Sequence, residues 1–294
     1  MSEMIGKRFG RYEIVEELGK GGMGAVYRAR QISLNRDVAL KIMLSGQALD
    51  PVNLERFKRE GEAIARVAHP GIVQVFDVGE EQNLPYIAME FVRGRTLSEV
   101  LEKEGPFSYR DAVFVCSQIA SALSAIHEAG LIHRDVKPSN IILGKDNLAK
   151  LGDFGVAGLT DQPEGERLTI TRAAVGTPYY MSPEQVKGRD VLDGASDIYS
   201  LGVVLYEMLA GEHPFGEATP TEAMIQQCND PFPPVRRYRG DIPDDLEGVL
   251  AKCLAKDKKD RWDNSVELAR ALDRIRLRIE TGKDEPEEEY KARV

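Results

Sequence analysis

Cysteine, tryptophan and histidine are scarce in this chain, with three, one and four copies in 294 residues. The cysteines, Cys116, Cys228 and Cys253, form no Cys-x-x-Cys pair and have no histidine at metal-ligand spacing. This excludes a disulfide scaffold or zinc ribbon and reads as reduced thiols packed in a core. An excess of positive charge is also lacking: 48 acidic residues face 39 basic ones, for a net charge of −9. Such a surface repels a phosphate backbone, so nucleic acid is not an expected partner. No apolar run is long enough to span a bilayer; the longest, Ile198 to Gly211, is cut by Glu207. Met1 to Gly10 lacks the apolar stretch of a signal peptide. These absences predict a soluble, cytoplasmic chain that makes no membrane contact of its own.

What is present is ordinary globular composition, 42% apolar and 30% charged, in a length that suits two lobes sharing a cleft. Tyr12 to Leu18 alternates apolar and polar residues, breaks at Gly19-Lys20-Gly21-Gly22-Met23-Gly24, and resumes over Ala25 to Ala29. That pattern is a hairpin with a glycine-rich tip. Asp37 to Met43 reads as a third strand, and Asp50-Pro51 as the start of a helix running to about Val67. Strands near Ile72–Val78 and Leu84–Phe91 complete a sheet-rich region. After Gly94 the pattern turns helical. Ser108 with Asp111 resembles a capping pair, and Ala112, Val115, Ile119, Ala122, Leu123 and Ile126 then recur at helical spacing. Asp153 to Glu184 lacks periodicity and reads as a long loop. Helices are predicted over about 195–210, 219–228, 245–255 and 264–279, followed by a charged tail.

Four motifs carry chemistry. Glycines at 19, 21, 22 and 24 let the backbone fold closely over phosphates, and the strand that follows disfavours a dinucleotide-binding turn. Lys41, seventeen residues after Gly24, lies mid-strand where an ammonium can reach phosphate while held by a carboxylate. Glu60 and Glu62 both suit that carboxylate, and periodicity does not choose between them. His133-Arg134-Asp135-Val-Lys137-Pro-Ser-Asn140 is the strongest segment: a base, a cation and an amide metal ligand in one short loop. Phosphoryl transfer needs an aligned hydroxyl, a proton acceptor and charge offset on the transferred group. Asp135, Lys137 and Asn140 suit those tasks. Asp153-Phe-Gly155, thirteen residues further on, adds a carboxylate able to hold magnesium beside the phosphates.

In this order the motifs resemble those of the eukaryotic-type serine/threonine protein kinases, most closely the bacterial members. Gly-Gly-Met-Gly-Ala-Val-Tyr27, His-Pro70, Met-Glu90 and Asp197-Ile-Tyr-Ser-Leu-Gly202 support the likeness, which spans Phe9 to Leu277. It implies an α+β bilobal fold. A β-rich N-lobe with one main helix would cover about 9–90, a hinge about 90–94, a mostly helical C-lobe about 95–277 and a charged tail 278–294. It implies an enzyme that uses ATP and Mg²⁺, or Mn²⁺ in its place, to phosphorylate Ser/Thr hydroxyls of proteins. By likeness Glu60 is the partner of Lys41. Met89 falls at the gatekeeper position, Glu90 to Val92 form the hinge that binds adenine, and Val26, Ala39 and Ile142 flank its ring. Asp135 is the base, and Asn140 and Asp153 are the metal ligands. Thr177 lies beside the substrate hydroxyl, and Thr169 and Thr171 are autophosphorylation sites. Lys137-Pro138 favours Ser/Thr over Tyr. Ser182-Pro-Glu184 replaces the usual Ala-Pro-Glu, Leu40 stands where Ile is commoner, and Tyr199 stands where Trp is usual. Glu184 is expected to pair with Arg261. Bacterial relatives also dimerise through the small lobe, which nothing in this sequence establishes. Two rivals predict other patterns. A pseudokinase scaffold would lack Lys41, Asp135, Asn140 or Asp153, and a small-molecule phosphotransferase would lack the Gly176-to-Glu184 segment.

Overall fold

The computed structural model describes residues 4–21, 24–44, 51–145, 148–153, 178–188 and 192–281, apart from the side chains of 51–56 and 60. Two compact units divide between Arg93 and Gly94. The first holds a six-stranded antiparallel sheet: β1 (Arg8–Phe9), β2 (Tyr12–Lys20), β3 (Gly24–Gln31), β4 (Arg36–Met43), β5 (Val75–Glu81) and β6 (Leu84–Glu90). Their spatial order is β1-β2-β3-β4-β6-β5. One helix, α1 (Pro51–Ala65), packs against β5.

Strand alternation decides which face of this sheet is buried. Ala25, Tyr27 and Ala29 of β3 point into a core with Val38, Leu40 and Ile42 of β4 and Tyr86 and Ala88 of β6. The opposite face of the same strands carries Val26, Ala39, Lys41 and Met89. The Asp77 carboxylate ties the sheet's edges: its Oδ2 accepts from Arg11 Nη2 at 2.7 Å, Tyr86 Oη at 2.8 Å and Tyr12 Oη at 2.9 Å. Sheet pairing begins at Val75 rather than Ile72, because Ile72 N donates to His69 O in a turn.

The second unit is mostly helical. Its helices are α2 (Leu97–Glu104), α3 (Tyr109–Glu128), α4 (Pro183–Lys187), α5 (Gly194–Ala210), α6 (Pro220–Asn229), α7 (Asp244–Cys253) and α8 (Ser265–Thr281). Ser108 caps α3 by accepting from Asp111 N at 3.1 Å, and its hydroxyl donates to Asp111 Oδ2 at 2.6 Å. The stripe from Ala112 to Ile126 is buried against α5 and α8. Nearly every residue of α5 is buried, and the helix stops at Gly211, whose φ of 81° is the left-handed conformation of a C-terminal glycine.

A short sheet follows the loop at His133–Asn140, where the sequence also reads as short strands. It joins β7 (Gly94–Thr96), β8 (Ile141–Gly144) and β9 (Ala149–Leu151), and β7 is the strand the sequence did not predict. Three residues are too few to show alternation, so β7 has no sequence signal. Helix α2 did have one: Thr96 and Glu99 form a capping box. The end of the predicted long loop is ordered as a 3-10 turn, Pro178–Tyr180, followed by α4, which a Ser182–Gln185 capping box starts. Helix α8 runs on to Thr281, into the first residues expected to be tail. Residues 154–177, which include Thr169, Thr171 and Thr177, lie outside the described residues, as do Gly22 and Met23.

Candidate active site

In the first unit, antiparallel register brings the predicted nucleotide residues onto one face. Val26 pairs with Lys41, Ala39 pairs with Met89, and Lys41 pairs with Ile87. Residues directly opposite one another project to the same side of a sheet. An apolar bed of Val26, Ala39 and Met89 therefore lies beside an ammonium. Gly19 and Lys20 end β2, and Gly21 N donates to Gly24 O at 2.8 Å, closing the turn. Gly24 is required sterically, since a Cβ there would sit 2.1 Å from Ile42 O. Glu90 N donates to Gln74 O at 2.8 Å, and Val92 follows the strand end. The Glu60 side chain lies outside the described residues.

In the second unit the loop before β8 gathers Asp135, Lys137 and Asn140. Asp135 Oδ2 meets Lys137 Nζ at 2.7 Å and Asn140 Nδ2 at 3.0 Å. Asp135 Oδ1 is buried and has no hydrogen-bond partner among the described residues. An ionised carboxylate with one oxygen held and the other unpaired is ready to accept a hydroxyl proton. Asn140 Nδ2 also donates to Asp135 O at 2.8 Å, leaving its Oδ1 as an acceptor, and Ile142 follows on β8. Gly152 N donates to Asn140 O at 2.9 Å, so Asp153 is tied to the loop. Asp153 has φ 48° and Arg134 has φ 67°, a left-handed conformation that aspartate tolerates and that is costly for a long side chain such as arginine. Amide and carboxylate oxygens are the hard donors that Mg²⁺ takes, so Asn140 and Asp153 suit such an ion.

What holds the Arg134 backbone was not legible as a role in the sequence. Asp197, 1% exposed in the first turn of α5, accepts His133 N at 2.8 Å on Oδ2 and Arg134 N at 2.7 Å on Oδ1. His127 Nε2 lies 2.8 Å from the same Oδ2, and Gln185 Nε2 donates to Arg134 O at 2.9 Å. Burial pulls the His133 imidazole below its usual pKa and keeps it neutral. Its Nδ1 accepts from Asp135 N at 3.3 Å, and its Nε2 lies 3.1 Å from Gly152 O. Asp197 had marked the family resemblance, but its buried partners lie more than sixty positions away.

A cavity of about 400 Å³ opens beside Lys137, lined also by Ser98, Ser139, Tyr179, Tyr180 and His213. Among the described residues no carboxylate lines it. Elsewhere in this unit Glu184 and Arg261 form the expected buried pair, with Oε1 to Nη1 at 2.7 Å and Oε2 to Nη2 at 2.9 Å. Ser196 Oγ donates to Glu184 at 2.7 Å. Burial pushes the Glu184 carboxyl up, but the Arg261 guanidinium outweighs it and holds the pKa at about 2.

The sequence pattern of the protein kinase domain matches residues 12–271. The chain is 44% identical over 271 residues to the serine/threonine-protein kinase PknB of Mycolicibacterium smegmatis, covering 90% of this chain and 43% of that protein. It is 37% identical to a probable serine/threonine-protein kinase of Clostridium perfringens, covering 93% of this chain and 39% of that one. The chain thus spans less than half the length of these relatives. The crystal structure of the Mycobacterium tuberculosis PknI kinase domain superposes with a TM-score of 0.72 at 31% identity, over 91% of this chain and 97% of that one. With the glycine turn, Lys41, the Asp135 loop and Asp153 all in place, the chain belongs to the protein kinase family.

Proposed function

We propose that this chain transfers the γ-phosphoryl group of ATP to serine or threonine hydroxyls of proteins, with Mg²⁺ as the metal. The observation that carries the reading is the Asp135 carboxylate, held on one oxygen by Lys137 and Asn140 and, among the described residues, unpaired on the other. The acceptor hydroxyl donates to Asp135 Oδ1 and gives up its proton there. Its oxygen bonds to the γ-phosphorus as the bond to the β-bridging oxygen breaks, and ADP leaves. Lys137, 2.7 Å from Asp135, offsets charge on the transferred group. Mg²⁺, held by Asn140 and Asp153, would supply charge neutralisation on the phosphates. Lys41 binds phosphate with Glu60 as its partner. Val26, Ala39, Met89 and Ile142 bind adenine, as do the backbone groups of Glu90 and Val92. The turn from Gly19 through Lys20, Gly21, Gly22 and Met23 to Gly24 covers the phosphates. The names of the curated relatives support Ser/Thr as the acceptor.

Thr177 beside the acceptor, and Thr169 and Thr171 as phosphorylation sites, remain part of the proposal on sequence grounds. Among the described residues no helix is long and apolar enough to cross a membrane. A cytoplasmic location for the chemistry is part of the proposal, since that is where ATP is supplied. A homodimer through the first unit is the proposed assembly, favoured by Leu34 and Ile32, 61% and 45% exposed on the turn between β3 and β4.

The test is incubation with radiolabelled ATP, Mg²⁺ and a protein acceptor, with mass spectrometry of the products. Wild type labels Ser or Thr, and Asp135→Asn loses at least about a hundredfold in rate, the usual worth of a positioned base, while still binding ATP. A wild type that labels neither itself nor any acceptor sinks the reading.

A further inference from the structure

The second unit contains a polar chain, buried at its centre, that none of the steps above uses. It starts at Lys256, just before the 3-10 turn Lys258–Asp260. Lys256 Nζ donates to Gln227 O at 2.9 Å and Tyr199 Oη at 3.1 Å, and lies 4.5 Å from the centre of the Phe232 ring. Tyr199 Oη donates in turn to Gln227 Oε1 at 2.5 Å, and both residues are fully buried. The remaining end of Gln227, its Nε2, donates to Tyr179 O. That carbonyl also accepts His213 Nε2 at 2.8 Å, while His213 Nδ1 accepts from Phe215 N at 3.1 Å. Ser200 Oγ donates to Tyr180 O at 2.7 Å.

Three side chains, from α5, α6 and the turn after Gly211, therefore seize two consecutive carbonyls of one short segment. Tyr179 and Tyr180 are also walls of the cavity that opens beside Lys137. Burying an amide and a phenol, and half-burying an ammonium, is costly unless each is satisfied, and apolar side chains would serve packing alone without that cost. The polar chain instead fixes where one backbone segment stands. Tyr199 contributes its hydroxyl to it, which gives physical content to the departure from tryptophan at that position.

We propose that Gln227 and Lys256 are positioning residues that hold Tyr179 and Tyr180 as the wall against which the acceptor protein lies beside Lys137. The inference rests on the kinase reading above. It also predicts a dependence on pH. Burial pulls the Lys256 pKa down to about 8. The groups that face it are Cys228 of α6, Asp230 after that helix, Tyr199 of α5 and Arg261, itself neutralised by Glu184. Below that pH the ammonium donates fully to Gln227 and Tyr199. Above it the amine is neutral, its donors weaken, and the hold on Gln227, and through it on Tyr179, loosens.

The test is steady-state kinetics of the full chain with Mg-ATP. The acceptor is whichever of casein and an inactive Lys41→Met copy the wild type labels. Gln227→Leu raises the KM for the acceptor about tenfold, the equivalent of one buried hydrogen bond, and leaves the KM for ATP unchanged. For wild type the acceptor KM rises between pH 7 and 9. Lys256→Arg, whose charge persists, holds it flat, and Lys256→Met shows the raised value at both pH values. An ATP KM that rises in step with the acceptor KM, or identical pH curves for wild type and Lys256→Arg, overturns the proposal. If Gln227→Leu does not fold, the Lys256 pair decides the matter. A wild type inactive towards both acceptors and itself removes the kinase reading, and this inference with it. An active wild type with unmoved variants removes this inference alone.

Discussion

At the scale of single residues, side chains with two faces carry most of the argument. Asp135 has one oxygen engaged and, among the described residues, one unpaired, and Asp197 uses both oxygens to hold two consecutive backbone N–H groups. Glu184 and Arg261 show what such a pair contributes to stability. Arg261 is 1% exposed, so removing it strands a buried carboxylate. Arg261→Met is expected to destabilise the protein by about 3–5 kcal/mol, measured by urea unfolding. The pH dependence has a definite sign. The folded-state pKa of Glu184, about 2, lies below its ordinary value of 4.5. Its contribution is therefore complete above about pH 4.5 and is lost as the pH falls towards 2. The stability of wild type should fall over that window more steeply than that of Arg261→Met. Equal slopes would show that the pair does not control this titration. The pairing was legible from family position, whereas Asp197 was visible as a letter in a motif without its partners.

At the scale of elements, register did the work. Alternation along β3 and β4 sorted core residues from the face that carries Val26, Ala39 and Lys41. Gly24 begins β3 where a side chain cannot fit, because the Ile42 carbonyl stands 2.1 Å from the place of its Cβ. Gly24→Val should therefore displace the glycine turn and weaken ATP binding about tenfold or more, the cost of losing one or two phosphate hydrogen bonds. Isothermal titration calorimetry with Mg-ATP checks this, and an unchanged Kd would separate the turn from the nucleotide. Long helices were legible because their stripes repeat over many turns, as in α3. Short elements were not. β7 has three residues, and the Pro178–Tyr180 turn and α4 gain their order from capping and from α5 and α6 rather than from any repeating pattern.

At the scale of the whole molecule, charge and exposed apolar surface bear on assembly. Leu34, Ile32 and Phe76 are exposed in the first unit, and the Arg36 guanidinium lies 3.7 Å from the centre of the Phe76 ring. A homodimer built on that face should be broken by Leu34→Glu, which buries a charge in an apolar contact. Sedimentation equilibrium should show wild type as a dimer and the variant as a monomer. A monomeric wild type at high micromolar concentration would remove the assembly. The sequence by itself brought together the residues of the proposed reaction: Gly19 to Gly24, Lys41, Asp135, Lys137, Asn140 and Asp153 each belong to short motifs whose members are close in the chain. Only the tertiary structure decided what holds them. The Asp197 clamp joins residues more than sixty positions apart, and the chain from Lys256 through Tyr199 and Gln227 to Tyr179 spans even more of the sequence. Hydrogen bonds of that kind depend on where folding brings an acceptor within 3 Å of a donor, and no local spacing encodes that distance.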